Sequence, residues 1–434
     1  MEQGRTLETT SQTGYLFVGV LTAATIVSFV HRYLPSVLVD AIRSDVVISD
    51  VQFASLQSAF AFTYAGATLL AGYAADRTNR RNLILAGISL WTFGTFVFAF
   101  ANSLSVLLAA RMVVAFGEAL LGPAGLSLLC QYIPAEKRGR AIAILFFGVT
   151  LGNSLAFGGG GAMLDLAKVG TFQALPGFAN LADWREVMIL LGALGLFLIP
   201  IVLTFKEPKR TFSSQSIDKD RFKDLIRVGP VLWLVLFAGS SVAIADFAYT
   251  TWQSALLTRT YGVSTGEAGQ SLGLTALIAG TIGAWIGGVV SDKVATKSGA
   301  LGRVKLVLMC APALFAAAAI LLIPGKWMAV LAYLAWQLVA NVVYVAIAVT
   351  LQDFLTDRTR GIGSSMQTCL SIGLGLGFGP TIVAMINTSI GQGANTLTQS
   401  IMIFVGGAAI VTLMLAWRLH FALKGKRPTR PDPS

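Results

Sequence analysis

Apolar residues in this chain come in long blocks, without the alternation of a half-buried strand. Twelve blocks lie near 15–38, 51–75, 82–101, 104–132, 141–163, 186–205, 230–257, 268–291, 304–323, 327–351, 362–387 and 396–418. Each is long enough to cross a bilayer as a helix, which takes about 20 apolar residues. Lipid offers no partners to backbone N–H and C=O groups, so such blocks are read as helices that bond internally. The pattern predicts an all-α, polytopic membrane protein with twelve transmembrane helices. The one long polar stretch between blocks, 206–229, divides them six and six. It gives a six-helix bundle over 1–205, a linker over 206–229 with one amphipathic turn near Phe222–Leu225, and a second bundle with a polar tail over 230–434. The segment 164–184 reads as a loop, the run Gly158–Gly161 as the end of a regular helix, and Pro324-Gly325 as the break between the ninth and tenth spans.

Composition agrees. Of 434 residues 55% are hydrophobic and 12% charged, half the charged share of ordinary soluble domains, about 25%. Net charge is +11, and its distribution sets the topology. With both termini cytoplasmic, 25 of the 32 Lys and Arg fall in cytoplasmic segments and five in outer ones, as the positive-inside bias requires. The location is then the cell's inner (plasma) membrane. No basic helix interleaved with aromatics suggests nucleic acid. Cys130, Cys310 and Cys369 are far apart and the only histidines are His31 and His420, so neither a metal nor a disulfide is expected. There is no HExxH and no GxxxxGK[ST] phosphate loop. The chain is expected to be no enzyme, to need no cofactor, and to act as a monomer whose partners are a small molecule, protons and the bilayer.

Two elements recur at nearly constant offset. Gly72-x-x-x-Asp76 and Gly288-x-x-x-Asp292 follow the second and eighth spans, and Arg138-Gly139 and Arg360-Gly361 follow the fourth and tenth. Two homologous halves place a substrate site between them at the midplane. The first loop, Gly72-Tyr73-Ala74-Ala75-Asp76-Arg77-Thr78-Asn79-Arg80-Arg81, resembles the G-x-x-x-D-R-x-x-R-R motif of the major facilitator superfamily, and its second copy is degenerate after Lys293. The resemblance implies two pseudo-symmetric six-helix bundles. It also implies gating roles for Gly72, Asp76, Arg77, Arg80, Arg81 and Asp292. Arg111-Met112-Val113-Val114-Ala115-Phe116-Gly117-Glu118-Ala119, with Trp91 and Ser49-Asp50-Val51-Gln52, is similar to spinster-like transporters. These are proton-coupled carriers whose animal members take lysolipids and sphingoid phosphates. The related anion:cation symporters share the Gly-Glu-Ala element. Where the spinster-like first span has Asp-Arg, this chain has His31-Arg32.

Ionisable groups inside spans are costly, at least ~2.5 kcal/mol on insertion scales. His31, Arg32, Arg111, Glu118 and Asp246 therefore become the candidates. Glu118 reads as the main protonation site, with His31 and Asp246 as further ones. Arg32 and Arg111 read as anion ligands, and Asp246 is expected to pair with one of them when the outside is closed. Gln57 and Tyr64 share one helical face, as do Tyr249 and Gln253 with Asp246, and Gln337, Asn341 and Tyr344; all are read as cavity-lining. The sequence thus predicts an alternating-access secondary transporter of a small organic anion or anionic amphiphile, proton-coupled. A small-carboxylate symporter and an uncoupled uniporter or exchanger stand as alternatives.

Overall fold

The structure is a computed structural model, described for residues 2–207, 229–356, 359–391, 393 and 395–424, with side chains from 14 onward. The linker turn expected near Phe222–Leu225 lies outside the described residues. The described residues are helical almost throughout: α1 (Glu2–Val37), α2 (Val39–Val46), α3 (Asp50–Arg77), α4 (Arg80–Ala99), α5 (Leu104–Tyr132), α6 (Arg138–Lys168), α7 (Asp183–Leu203), α8 (Pro230–Tyr261), α9 (Thr265–Ala319), α10 (Lys326–Asp353), α11 (Arg360–Leu370), α12 (Gly377–Ile390) and α13 (Thr396–Lys424).

Ten helical segments are long and apolar enough to cross a membrane. Two corrections bring that number to the twelve spans expected. The 55 residues of α9 would measure roughly 80 Å at 1.5 Å per residue, far beyond one bilayer core of about 30 Å. The helix is in fact two spans joined at Gly299, where φ is 56° and ψ −142°, a backbone state that glycine adopts without strain. The other span is α3, whose 28 residues are long enough but too polar to qualify by hydropathy. Gln57, one of its polar residues, is 2% exposed, so this polarity faces protein. Ser49 starts α3 with a reciprocal capping box to Gln52, satisfying two backbone donors.

Three local expectations change. Gly158–Gly161 do not end their helix, since α6 runs on to Lys168. The short amphipathic α2 falls in a stretch read as a connection. The eleventh span, Arg360–Ile390, has a π-helical turn at Ser371–Leu376 between α11 and α12, in its glycine-rich part.

By packing, the chain forms two compact units. The first comprises Met1–Ser214 with Thr250–Leu277 and Pro380–Leu397; the second comprises Gln215–Tyr249, Ile278–Gly379 and Thr398–Ser434. This division does not follow the six-and-six split, because the end of α8, the start of α9 and most of α12 pack with the first six spans. In the first unit, α6 meets the start of α9 along a seam of backbone. A Cβ on Gly273 would lie 2.6 Å from the Ser154 carbonyl oxygen and 2.9 Å from the Gly158 nitrogen. Ser154 Oγ donates to the Gly273 carbonyl at 2.7 Å across the same seam. In the second unit, Ser241 and Thr412 hydroxyls meet at 2.8 Å, and α9 and α10 close up where a Cβ on Gly283 would sit 3.0 Å from the Leu338 carbonyl.

Helix backbones cannot step aside as a side chain can. A Gly273→Val variant is therefore expected to lose about 1–3 kcal/mol, the usual cost of overpacking, read as a lowered unfolding temperature of the purified protein. Gly288→Val, where a Cβ would meet open space, is expected to leave that temperature unchanged.

Candidate functional site

The buried charges of the first unit are joined by α1, α3 and α5. Pro35 lies inside α1 and has no N–H, so the carbonyl four residues earlier, that of His31, loses its helical donor. Arg111 of α5 supplies one, its Nη1 reaching the His31 oxygen at 3.4 Å. Its Nη2 reaches the Arg32 oxygen at 3.3 Å and Gln57 Oε1 at 2.8 Å. Gln57 in turn donates to Ser36 Oγ at 2.8 Å. One guanidinium thus closes the gap that a proline opens and ties three helices together.

Arg32 leaves the opposite side of this knot for Glu118. Its Nη2 and Nε both donate to Glu118 Oε2, at 2.8 and 3.1 Å. The two side chains are 7% and 0% exposed, so this is a fully desolvated ion pair. Glu118 Oε1 has no hydrogen-bond partner among the described residues. The Arg32 guanidinium also lies over Phe29 at 4.5 Å and Tyr64 at 4.7 Å, and Arg111 over Phe60 at 4.5 Å. Aromatic faces attract cations most when water is absent. Gly117 positions the carboxylate: a Cβ there would lie 2.6 Å from the Trp91 nitrogen, so only glycine lets α5 rest on α4. This accounts for the glycine that precedes Glu118. The group carries two cations against one anion.

His31 has a different environment. Its Nε2 is 2.9 Å from the Leu191 carbonyl of α7, which can only accept, so Nε2 carries the hydrogen. Nδ1 is buried without a partner. The ring packs on α7 and forms no hydrogen bond with Arg32 or Glu118.

The remaining predicted residues divide by unit. In the first, Tyr64 stacks on Phe60 at 5.8 Å, and Gln253 is fully buried. In the second, Asp246 accepts from Trp336 Nε1 at 3.1 Å. Tyr249 packs edge-to-face on Tyr333 and Trp336, at 5.1 and 6.2 Å. Gln337 donates to the Tyr333 hydroxyl at 3.0 Å. Asn341 turns back on its own helix, donating to the Gln337 carbonyl at 2.8 Å. Within its own unit Asp246 has only neutral partners, the side chains of Trp336, Gln337 and Tyr344.

A larger ion-pair cluster at the α2 end of the first unit escaped the sequence reading. Arg259 of α8 binds Asp40 and Asp50, with Nε to Asp40 Oδ1 at 2.8 Å and both terminal nitrogens on Asp50 at 2.9 and 3.0 Å. Arg43 reaches Asp50 at 3.0 Å, and Asn387 of α12 donates to Asp50 at 3.3 Å. Burial lowers the Arg43 pKa more than Asp50 restores it, yet a guanidinium stays charged at any physiological pH. Nearby, Asp165 of α6 accepts from Ser264 Oγ at 2.6 Å and from the Gly266 amide at 2.9 Å, at the start of α9. The signal lay in the acidic residues Asp40, Asp45, Asp50 and Asp165 beside the few basic residues of those segments.

Among the motif residues, Arg80 and Arg81 grip Glu207. Arg80 Nε is 2.8 Å from Glu207 Oε1, and the Arg81 amide 3.1 Å from Oε2. Arg80 further bonds Ser127 at 3.0 Å and Gln131 at 2.7 Å. Arg77 caps the Tyr73 ring at 3.6 Å. A Cβ at Gly72 would meet nothing within 4 Å, so no steric need for glycine is visible there. Asp292 is exposed, and its neighbour Ser291 takes the bond from Arg303, at 3.2 Å. Arg303 also pairs with Asp353.

The family model described as Major Facilitator Superfamily matches residues 21–380. An MFS-type efflux pump of Mycolicibacterium smegmatis is 24% identical over 408 residues, covering 92% of this chain and 91% of that protein. A probable sulfoacetate transporter of Cupriavidus necator is 24% identical over 306 residues, 67% of each chain. A solved bacterial homologue of the human lysosomal transporter Spinster, inward-facing and unoccupied, superposes with a TM-score of 0.79 at 23% identity, over 96% of this chain and 99% of that one.

Removing one partner of a buried ion pair strands the other charge and costs about 3–5 kcal/mol. Glu118→Gln and Arg32→Gln are each expected to lower the unfolding temperature, and the double variant to lower it less than the sum. Equal and additive losses in this cycle would count against a coupled pair.

Proposed function

Since the chain belongs to the Major Facilitator Superfamily, we propose that it is a spinster-like secondary carrier that moves a small organic anion or anionic amphiphile by alternating access, coupled to protons at Glu118. The observation that carries this reading is the stoichiometry of the buried group, Arg32 and Arg111 against Glu118 alone. An incoming anion competes with Glu118 for Arg32. The displaced carboxylate, left in a water-poor site, takes up a proton, because burial disfavours its charged form. Protonation of Glu118 in turn frees Arg32 for the anion. Each ligand favours the other by the same factor, so proton and anion load together. The named substrate of the Cupriavidus necator relative, sulfoacetate, is a small organic anion and supports this class.

The Asp40–Asp50–Arg259 cluster serves as the outer gate. By the 25-to-5 distribution of basic residues, α2 and the end of α8 face away from the cytoplasm, both termini lie inside, and the membrane is the cell's inner one. Arg259 and Asn387 come from the second six spans and Asp40 and Asp50 from the first. The cluster therefore joins the two repeats at the outer side, and breaking it is the step that opens that side. The Asp165 cap on the start of α9 adds a second clasp. His31, with its hydrogen fixed on Leu191, orients α1 against α7, leaving Glu118 as the proton carrier.

Reconstituted in liposomes, the wild type is expected to accumulate a small organic anion against its gradient when the side from which it is taken is the more acidic. Glu118→Gln is expected to equilibrate the anion without accumulating it; accumulation by that variant would remove Glu118 from the proton path. Arg259→Gln is expected to increase labelling of a cysteine at Ser36 by a membrane-impermeant maleimide added outside, and unchanged labelling would count against the gate.

A further inference from the structure

The second unit holds a carboxylate that the anion reading does not use. Asp246 lies in the apolar α8, partly buried. Among the described residues, no cation neutralises it. Its partners are neutral: the indole N–H of Trp336 at 3.1 Å and the side chains of Gln337 and Tyr344. These donors are uncharged, so they orient the carboxylate without cancelling a charge on it. Behind it, Tyr249, Tyr333 and Trp336 are each at most 1% exposed and lock together edge-to-face. Trp336 thus ties the carboxylate to a buried aromatic cluster, and a charge is felt more strongly where water is scarce.

We propose that Asp246, with Trp336 and Tyr344, is a subsite for an alkylammonium group. A carboxylate that neutral donors hold in place and no cation pairs has the chemistry that recognises an ammonium, and an ionisable group in a span needs a functional reason. The three donors leave the carboxylate's remaining lone pairs for the ligand. The proposal rests on reading the chain as a carrier of a charged organic molecule and adds to it a place for an amine in the second unit. It also gives Asp246 a task other than carrying a proton.

The test is equilibrium binding to the purified protein at constant pH, with two probes of similar size and opposite charge, benzyltrimethylammonium and benzenesulfonate. The wild type binds both. Asp246→Asn weakens benzyltrimethylammonium by about tenfold or more, the worth of one charge-assisted contact, and leaves benzenesulfonate unchanged, which also shows that the variant is folded. Asp246→Glu keeps the charge and retains ammonium binding. Should Asp246→Asn fail to fold, Trp336→Phe, which removes one donor to the carboxylate, is expected to weaken benzyltrimethylammonium selectively. Ammonium binding that is absent in the wild type, or unaffected in the soluble variant used, overturns the proposal. No proton gradient enters the measurement, so its failure leaves proton-driven anion transport standing, and loss of that transport leaves the subsite standing.

Discussion

The bond between Arg32 and Glu118 is the interaction on which the rest of the first unit is arranged. A carboxylate with no exposed surface and a guanidinium almost as buried are tolerated inside spans only as partners. Both must therefore be delivered to one point from helices whose residues are 86 positions apart. The surrounding sequence serves that delivery. Pro35 breaks the α1 ladder and frees the His31 carbonyl for Arg111. Gly117 lets α5 settle on Trp91. Gln57 completes the Arg111 contacts from α3 and makes that helix the least lipid-like span.

An ion pair of this kind is weak evidence of stability, since well-packed apolar residues do as well or better. It is useful because it can be divided. Either charge, once separated, must find a new partner at once. The surplus cation Arg111 is held by carbonyl and amide oxygens, which do not cancel its charge. The group therefore keeps a positive field whichever partner Glu118 takes.

The fold was legible because bilayer physics leaves little choice: apolar length gave the spans. The candidate residues Arg32, Arg111 and Glu118 were legible for the same reason, as charges where charges are costly. Their pairing was not. Helix phase and the gap at Pro35 decide the contacts of Arg32 and Arg111, and neither is visible in hydropathy. The cluster of Asp40, Asp50 and Arg259 was missed because those residues sit at span ends, where charges are ordinary. The same blindness hid Glu207, the partner of Arg80, and Arg303, which reaches Ser291 and Asp353 from twelve residues beyond its helix turn.

The internal repeat extends to the loops and stops short of the buried charges. In the first half Arg80 bonds a carboxylate at the end of the sixth span; in the second Arg303 bonds one at the end of the tenth. The tethers differ in detail but do the same work of tying a short loop to a distant helix end. Inside the spans the halves diverge: the first unit joins Arg32, Arg111 and Glu118 in one group, and the second holds Asp246 among neutral partners. The repeat is therefore strongest in sequence at the loops, where both halves need the same kind of tether, and weakest inside the spans, where their buried groups differ.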